Sequence, residues 1–308
     1  MSFDNAYESL LEDSDETHWA YGTGFDDPLS DVDRAVPVGV DPADLAVYCV
    51  MLADDALVSA QRLSAWCSWA PELEEDVALA NIALDLLGQA RLLYTRAGEL
   101  DPSVRPAAAP DNVPDEDALA YFRDEMDFRN VRLAEIDTGP GPGGDFAATI
   151  ARLLVLASWR LAVFVRLADS VDPVLAAIAA KGVKELAYHR DHAAQWTVRL
   201  GDGTQESTRR MRAGLAAIWP LVDELFEPHP VELRLAQARA GVDPARVRPE
   251  VDEVVGSVLA AAVLDRPTAP AIAGVSGRTG RDGVHTAALG YLLAELQHIA
   301  RSHPGATW

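Results

Sequence analysis

The chain has 308 residues, with 48 acidic and 26 basic side chains, a formal net charge of −22 and a pI near 4.6. Such a surface repels phosphate backbones and anionic bilayers, which argues against nucleic-acid and membrane partners. Hydrophobic residues make up 49%, so a chain of this length buries a large core instead of staying disordered.

Residues 1–43 hold eleven acids, from Asp4 to Asp41, against the single base Arg34, and show little periodicity. They read as an acidic N-terminal extension, partly disordered, ahead of one helical domain over 44–308. The start MSFDNAYESLLEDSDETHW has no basic opening and no apolar run, so no signal peptide is expected. No stretch of about 18 residues is continuously apolar, so no membrane span is expected. Cys49 and Cys67 read as lying on one helix, roughly 27 Å apart at 1.5 Å rise per residue. That is too far for a disulfide, and free thiols in a reducing cytoplasm follow.

From Asp44 the pattern is helical. Asp41-Pro42 is a start signal, and the first helix is expected to run to about Trp69 with Leu45, Leu52, Leu57, Val58, Leu63 and Trp66 inward. Pro71 opens a second helix over about 71–99, with Leu79, Ile82, Leu86, Leu87 and Leu93 inward. A weaker amphipathic segment covers about 115–136, and TGPGPGG (138–144) is a flexible break. Asp145 caps a third, unusually apolar helix (about 146–169), and Asp172-Pro173 starts a fourth that ends near Gly201. Further helices are expected at about 205–226, 244–264 and 285–302. Strand signals are absent. Two long helix pairs joined by a longer connection predict an all-α fold, a four-helix bundle with additional C-terminal helices.

A bundle of this kind invites a carboxylate-bridged di-iron site, built from one Glu on each of two helices and Glu-x-x-His on each of the other two. The chain fails that demand in several places. Helix two offers Asp85 followed at plus three by Gly88 instead of His. Helix four offers Glu185 with Tyr188 at plus three and His189 at plus four. Helix one has Asp54 and Asp55, and helix three has no acid between Phe146 and Ala168. The one intact match on a helix, Glu295 to His298, stands alone and reads as a solvated pair; Asp15 to His18 falls in the acidic extension.

Lys181, Glu185, His189 and His192 share one stripe of helix four. Three readings of it stay open. It is a polar stripe facing water or a partner; or an emptied metal cavity in which Lys181 or Lys184 replaces the metal charge against Glu185 and Asp85; or a real metal site using His189 and His192. No Gly-x-Ser-x-Gly elbow is present, neither cysteine has an activating environment, and RTGRDG (278–283) lacks a phosphate-loop Lys-Ser/Thr.

Four long runs, SAQRLSAWCSWAPELEEDVALANIALDLLGQAR (59–91), DFAATIARL (145–153), AAIAAKGVKELAYHRDHAAQWTVRLGDGT (176–204) and GVHTAALGYLLAELQ (283–297), resemble the C-subunit family of phenylacetate-CoA oxygenase, the ring-1,2-phenylacetyl-CoA epoxidase. The resemblance covers about 44–308 and includes the Pro304 to Trp308 ending. It implies a ferritin-like fold and a structural, non-catalytic subunit of a cytoplasmic multicomponent monooxygenase in aerobic phenylacetate degradation. It implies no cofactor in this chain: di-iron sits in the catalytic A-type component, and NADPH electrons arrive through a reductase. The implied partners are that catalytic component, the reductase and small accessory subunits, with self-association left open. Asp54, Asp85, Gly88, Lys181, Glu185, Tyr188, His189 and His192 would then be remnants of a degenerate di-iron site, not ligands. The competing readings are a metal-dependent oxidase or oxygenase using Asp85, Glu185, His189 and His192, and a plain helical binding protein.

Overall fold

The computed structural model describes residues 29, 31–141, 144–304 and 306. The chain divides into two units, Met1–Asp33 and Arg34–Trp308. Of the first, only residues 29 and 31–33 are described, and the Val32 amide donates to the Leu29 carbonyl at 3.1 Å. Most of the acidic extension, the Asp15 to His18 pair and Trp308 lie outside the described residues.

The second unit is built on four long helices: α1 (Pro42–Ser64), α2 (Leu73–Leu100), α5 (Phe146–Leu167) and α6 (Pro173–Gly201). Their starts are set by carboxylate caps, which satisfy amides that the first turn leaves without partners. Asp41 accepts from Ala43 and Asp44, Asp145 from Ala147, and Asp172 from Leu175, with Pro42 and Pro173 at first helical positions. Short helices α3 (Asp115–Tyr121) and α4 (Arg132–Glu135) fill the central connection. Helices α7 (Gln205–Ile218), α8 (Pro230–Gln237), α9 (Arg248–Ala261) and α10 (Ala287–Ser302) follow.

α1 pairs with α2 and α5 with α6, and α2 also packs on α6. α7 and α9 lie against α5 and α6, α8 against α1, and α10 touches α3 and α4. Among the described residues the only extended pairing is a single bridge between Val275 and Arg278. The fold is a ferritin-like four-helix bundle with additional helices. α5 is its axis: Ile150, Leu154 and Phe164 are fully enclosed. α2 and α5 are both long and apolar enough to cross a membrane, but 94% of the apolar window of α5 is buried within the protein, as in a core helix. One end of the bundle is closed by edge-to-face rings of Trp66, Phe146 and Trp196, with centroids 5.5 and 5.1 Å apart. The other contact of note is Gly182 on α6. A Cβ there would stand 2.8 Å from the Phe164 ring, so glycine permits the close approach of α5 and α6.

Several elements differ from expectation. α1 stops at Ser64, and the chain leaves it through turns that include Ser68 at a positive φ of 68°. Cys67 therefore lies beyond α1; it is exposed, Cys49 is buried, and both are free. Leu87, expected inward, is 40% exposed because it sits on the outer edge of the α2 stripe. The segment 115–136 is not one helix: Phe122–Asp124 break it so that Arg123 turns into the core. The helices expected to reach 226 and to start at 244 are shorter, flanked by 3-10 turns, and α8 arises where none was expected.

Candidate functional site

Two aspartates in mid-helix α1 are almost completely buried, which is costly unless each is neutralised. Asp54 accepts the Tyr94 hydroxyl, both terminal nitrogens of Arg123 and, at 2.6 Å, the Arg129 amide. Burial opposes the Arg123 charge, but Asp54 and Tyr94 outweigh it and hold its pKa above the ordinary value. Asp55 accepts from Arg281 at 2.8 and 3.1 Å and from the Val131 amide at 2.9 Å. Burial likewise opposes the Arg281 charge, and Asp55 with Glu232 keeps it ionised. The same pattern recurs at buried Glu135, whose carboxylate meets His285 at 2.7 Å and the Asn130 amide group at 2.8 Å.

The α2–α6 seam carries the other expected residues. His189 Nε2 lies 3.0 Å from Asp85 Oδ2. Gln89, one turn along from Asp85, donates to Glu185 at 2.8 Å. His192 Nε2 stands 3.1 Å from Glu75 Oε2, without the alignment of a hydrogen bond. Burial lowers the pKa of His189 and of His192 against the pull of Asp85 and Glu75. Both imidazoles are therefore neutral near pH 7. Burial raises the Glu185 pKa, with Gln89 working the other way.

The structure brings Asp85 and His189 together, but it sends His192 to a different carboxylate. Lys181 stands 3.8 Å from Glu185 with more than half of its side chain in solvent, and Lys184 is exposed. Neither lysine enters the bundle. The interior cation is Arg160 on α5, which donates to Gln89 Oε1 at 3.1 Å and the Leu52 carbonyl at 3.0 Å and covers the Phe164 ring at 4.5 Å. Tyr188 is half-exposed between the two histidines. Gly88 has open space where a side chain would stand. Glu295 and His298 are both exposed on α10.

These donors do not fit a carboxylate-bridged metal pair. Asp54 and Asp55 are already taken by arginines, Asp85 faces an imidazole, and α5 projects guanidinium groups where such a site needs an acid. Among the described residues no three His, Cys, Asp or Glu side chains converge as a metal site would require. What the arrangement does chemically is cross-link helices by buried charge and hydrogen bonds. The residues that carry this include Arg123, Arg160, Arg281, Gln89 and Glu75, none of which stands in a recognisable motif of the sequence. Arg160 stands in an apolar run, where spacing alone does not tell an inward guanidinium from an outward one.

A family model described as phenylacetic acid catabolic protein matches residues 35–308. The C-subunit of 1,2-phenylacetyl-CoA epoxidase from Escherichia coli (strain K12) is 41% identical over 265 residues, spanning 86% of this chain and 99% of that relative.

Proposed function

The chain belongs to the phenylacetic acid catabolic protein family, and on that footing we propose that it is the structural C-type component of a phenylacetyl-CoA 1,2-epoxidase in aerobic phenylacetate degradation. In this role it pairs with a di-iron catalytic subunit, and a reductase supplies NADPH electrons to that partner in the cytoplasm. The observation that carries the reading is the interior of the bundle. The carboxylates of Asp54, Asp55 and Asp85 are taken up in Asp–Arg and Asp–His cross-links, which supports a chain that holds no metal pair of its own.

A protein partner is supported by the outer face of α2. Leu73, Val77, Leu84 and Leu87 lie at helical spacing on one side and are all exposed, with Trp69 just before them and Tyr188 on neighbouring α6. Such a contiguous apolar stripe on an acidic protein is the kind of surface that partners cover. Every step of the oxidation is assigned to the partner; this chain's residues hold a rigid docking face.

Co-expression with a di-iron epoxidase subunit, followed by mass and iron analysis, tests the reading. The expected result is a stable complex whose iron tracks the partner, while the isolated chain carries no stoichiometric iron and turns over no phenylacetyl-CoA. Two irons per isolated chain, or epoxidation by this chain with reductase alone, defeats it.

A further inference from the structure

Most glycines inside the helices have an internal reason for lacking a side chain. A Cβ at Gly98, Gly182, Gly201, Gly214 or Gly290 would stand 2.4–2.8 Å from an atom of another segment. Gly88 on α2 and Gly256 on α9 have nothing within 4 Å of that position. Glycine is the poorest helix former after proline, so in mid-helix at 88 it costs stability and gains no contact within this chain. The surroundings of the two differ. α9 exposes no large apolar side chain beside Gly256. Gly88 is flanked by Leu84 and Leu87, and between Asp76 and Arg91 the exposed residues of α2 are Val77, Asn81, Leu84 and Leu87, none of them charged.

The two ends of this face differ in charge. At the start of α2, Glu72, Glu74 and Asp76 have no ion-pair partner among the described residues. At the Gly88 end stand the only two lysines of the chain. Gln89 lies 3.4 Å from the side-chain position of Gly182 and donates to Glu185 at 2.8 Å, which sets Lys181 and Lys184 on the facing turns of α6. Lys181 leans on Glu185 at 3.8 Å, and Lys184 is exposed, with no ion pair among the described residues.

We propose that a helix of the catalytic partner crosses α2 at Gly88, backbone close against the glycine, with basic side chains over Glu72, Glu74 and Asp76 and an acidic one at Lys184. This rests on the pairing proposed above and gives it a contact point, an orientation and a charge pattern. Glycine permits such a close approach of two backbones. Val77, Leu84 and Leu87 supply the apolar anchors of a helix laid along a helical face. From Glu74 to Gly88 the face runs roughly 21 Å at 1.5 Å per residue, which a partner helix of about 14 residues spans.

Gly88→Leu separates close approach from mere apolar burial. It places a better helix former in open space, so the isolated chain keeps an equal or higher thermal midpoint. It also adds apolar surface, which favours binding unless the partner's backbone already occupies the space. The expected result, with full-length chain and di-iron epoxidase subunit, is a dissociation constant weakened about tenfold or more by Gly88→Leu, less by Gly88→Ala, and unchanged by Gly256→Leu. Glu72→Gln combined with Glu74→Gln weakens binding several-fold and lowers its salt dependence. Equal or tighter binding by Gly88→Leu overturns the crossing while the pairing stands, and so does an equal loss from Gly256→Leu. Unchanged binding by the double glutamine variant overturns the charge pattern. A wild-type chain that binds no catalytic subunit defeats the pairing and this inference with it.

Discussion

Asp54→Asn changes one atom of a buried cross-link and leaves its shape intact. The carboxylate accepts four donors, three of them from Arg123 and Tyr94, and Arg123 is enclosed in the protein. Removing one partner of a buried ion pair costs about 3–5 kcal/mol, because the other charge is stranded. Arg123 keeps the Leu119 carbonyl at 2.6 Å, the Asp127 carbonyl at 3.2 Å and the face of Phe128 at 4.2 Å. These contacts place the expected loss at the lower end, about 3 kcal/mol. Unfolding entropy of about 2.1 cal/mol/K per residue, over roughly 275 residues, converts that loss to a midpoint drop of about 5 °C. Calorimetry at pH 7 measures it, and a cycle with Arg123→Met isolates the pairwise part. If Asp54 is an idle vestige of a lost metal site, Asp54→Asn falls within about 0.5 kcal/mol of wild type, and that result refutes the reasoning.

His189 and His192 have lowered folded pKa values because of burial. Their contribution is fully present above the unfolded value near 6.5 and is lost as pH falls below it, so His189→Gln should flatten the acid limb of urea stability measured between about pH 7 and 5. His285 has the opposite sign. Burial lowers its pKa, but Glu135 outweighs burial and raises it, so its stabilisation is full below about pH 6.5 and is lost as pH rises through the folded value. His285→Asn should remove that alkaline loss, and an unchanged profile counts against the Glu135 contact. Leu84→Glu, on an exposed position of α2, should change stability by less than about 0.5 kcal/mol yet abolish co-purification with the proposed catalytic partner; an intact complex moves the docking face elsewhere. Gly182→Ala forces a Cβ against Phe164 and should cost about 1–3 kcal/mol in denaturant titration, with a neutral outcome showing that the ring can yield.

The long helices were legible because their signals are local. Asp41-Pro42 and Asp172-Pro173 mark starts that need no tertiary information, and the 3.6-residue spacing of Leu45, Leu52 and Leu63 finds a buried face. The missing acid of α5 and the glycine at position 88 were equally readable, since they are absences at fixed spacing. The counter-charges were not. Arg123 enters the core only because α3 ends at Tyr121, and that break competes with a continuous amphipathic pattern. The reading of Lys181 or Lys184 as an interior cation rests on the stripe shared with Glu185, but α6 turns both lysines outward, and Arg160 reaches in from the neighbouring helix α5. A guanidinium in an apolar run carries no sign of direction until the neighbouring helices are placed.

The Asp55–Arg281 cross-link has a consequence for biosynthesis. The two residues are 226 positions apart, so when α1 leaves the ribosome this carboxylate has no counter-ion. At roughly 5–20 residues per second, Arg281 follows about 11–45 s later. Over that interval an α1–α2 hairpin has no Arg281 to neutralise Asp55, and burying that carboxylate ionised and unpaired is costly. The interior is sealed only when the segment before α10 is made, which makes the closing stretch of the chain the latch for the first helix of the bundle.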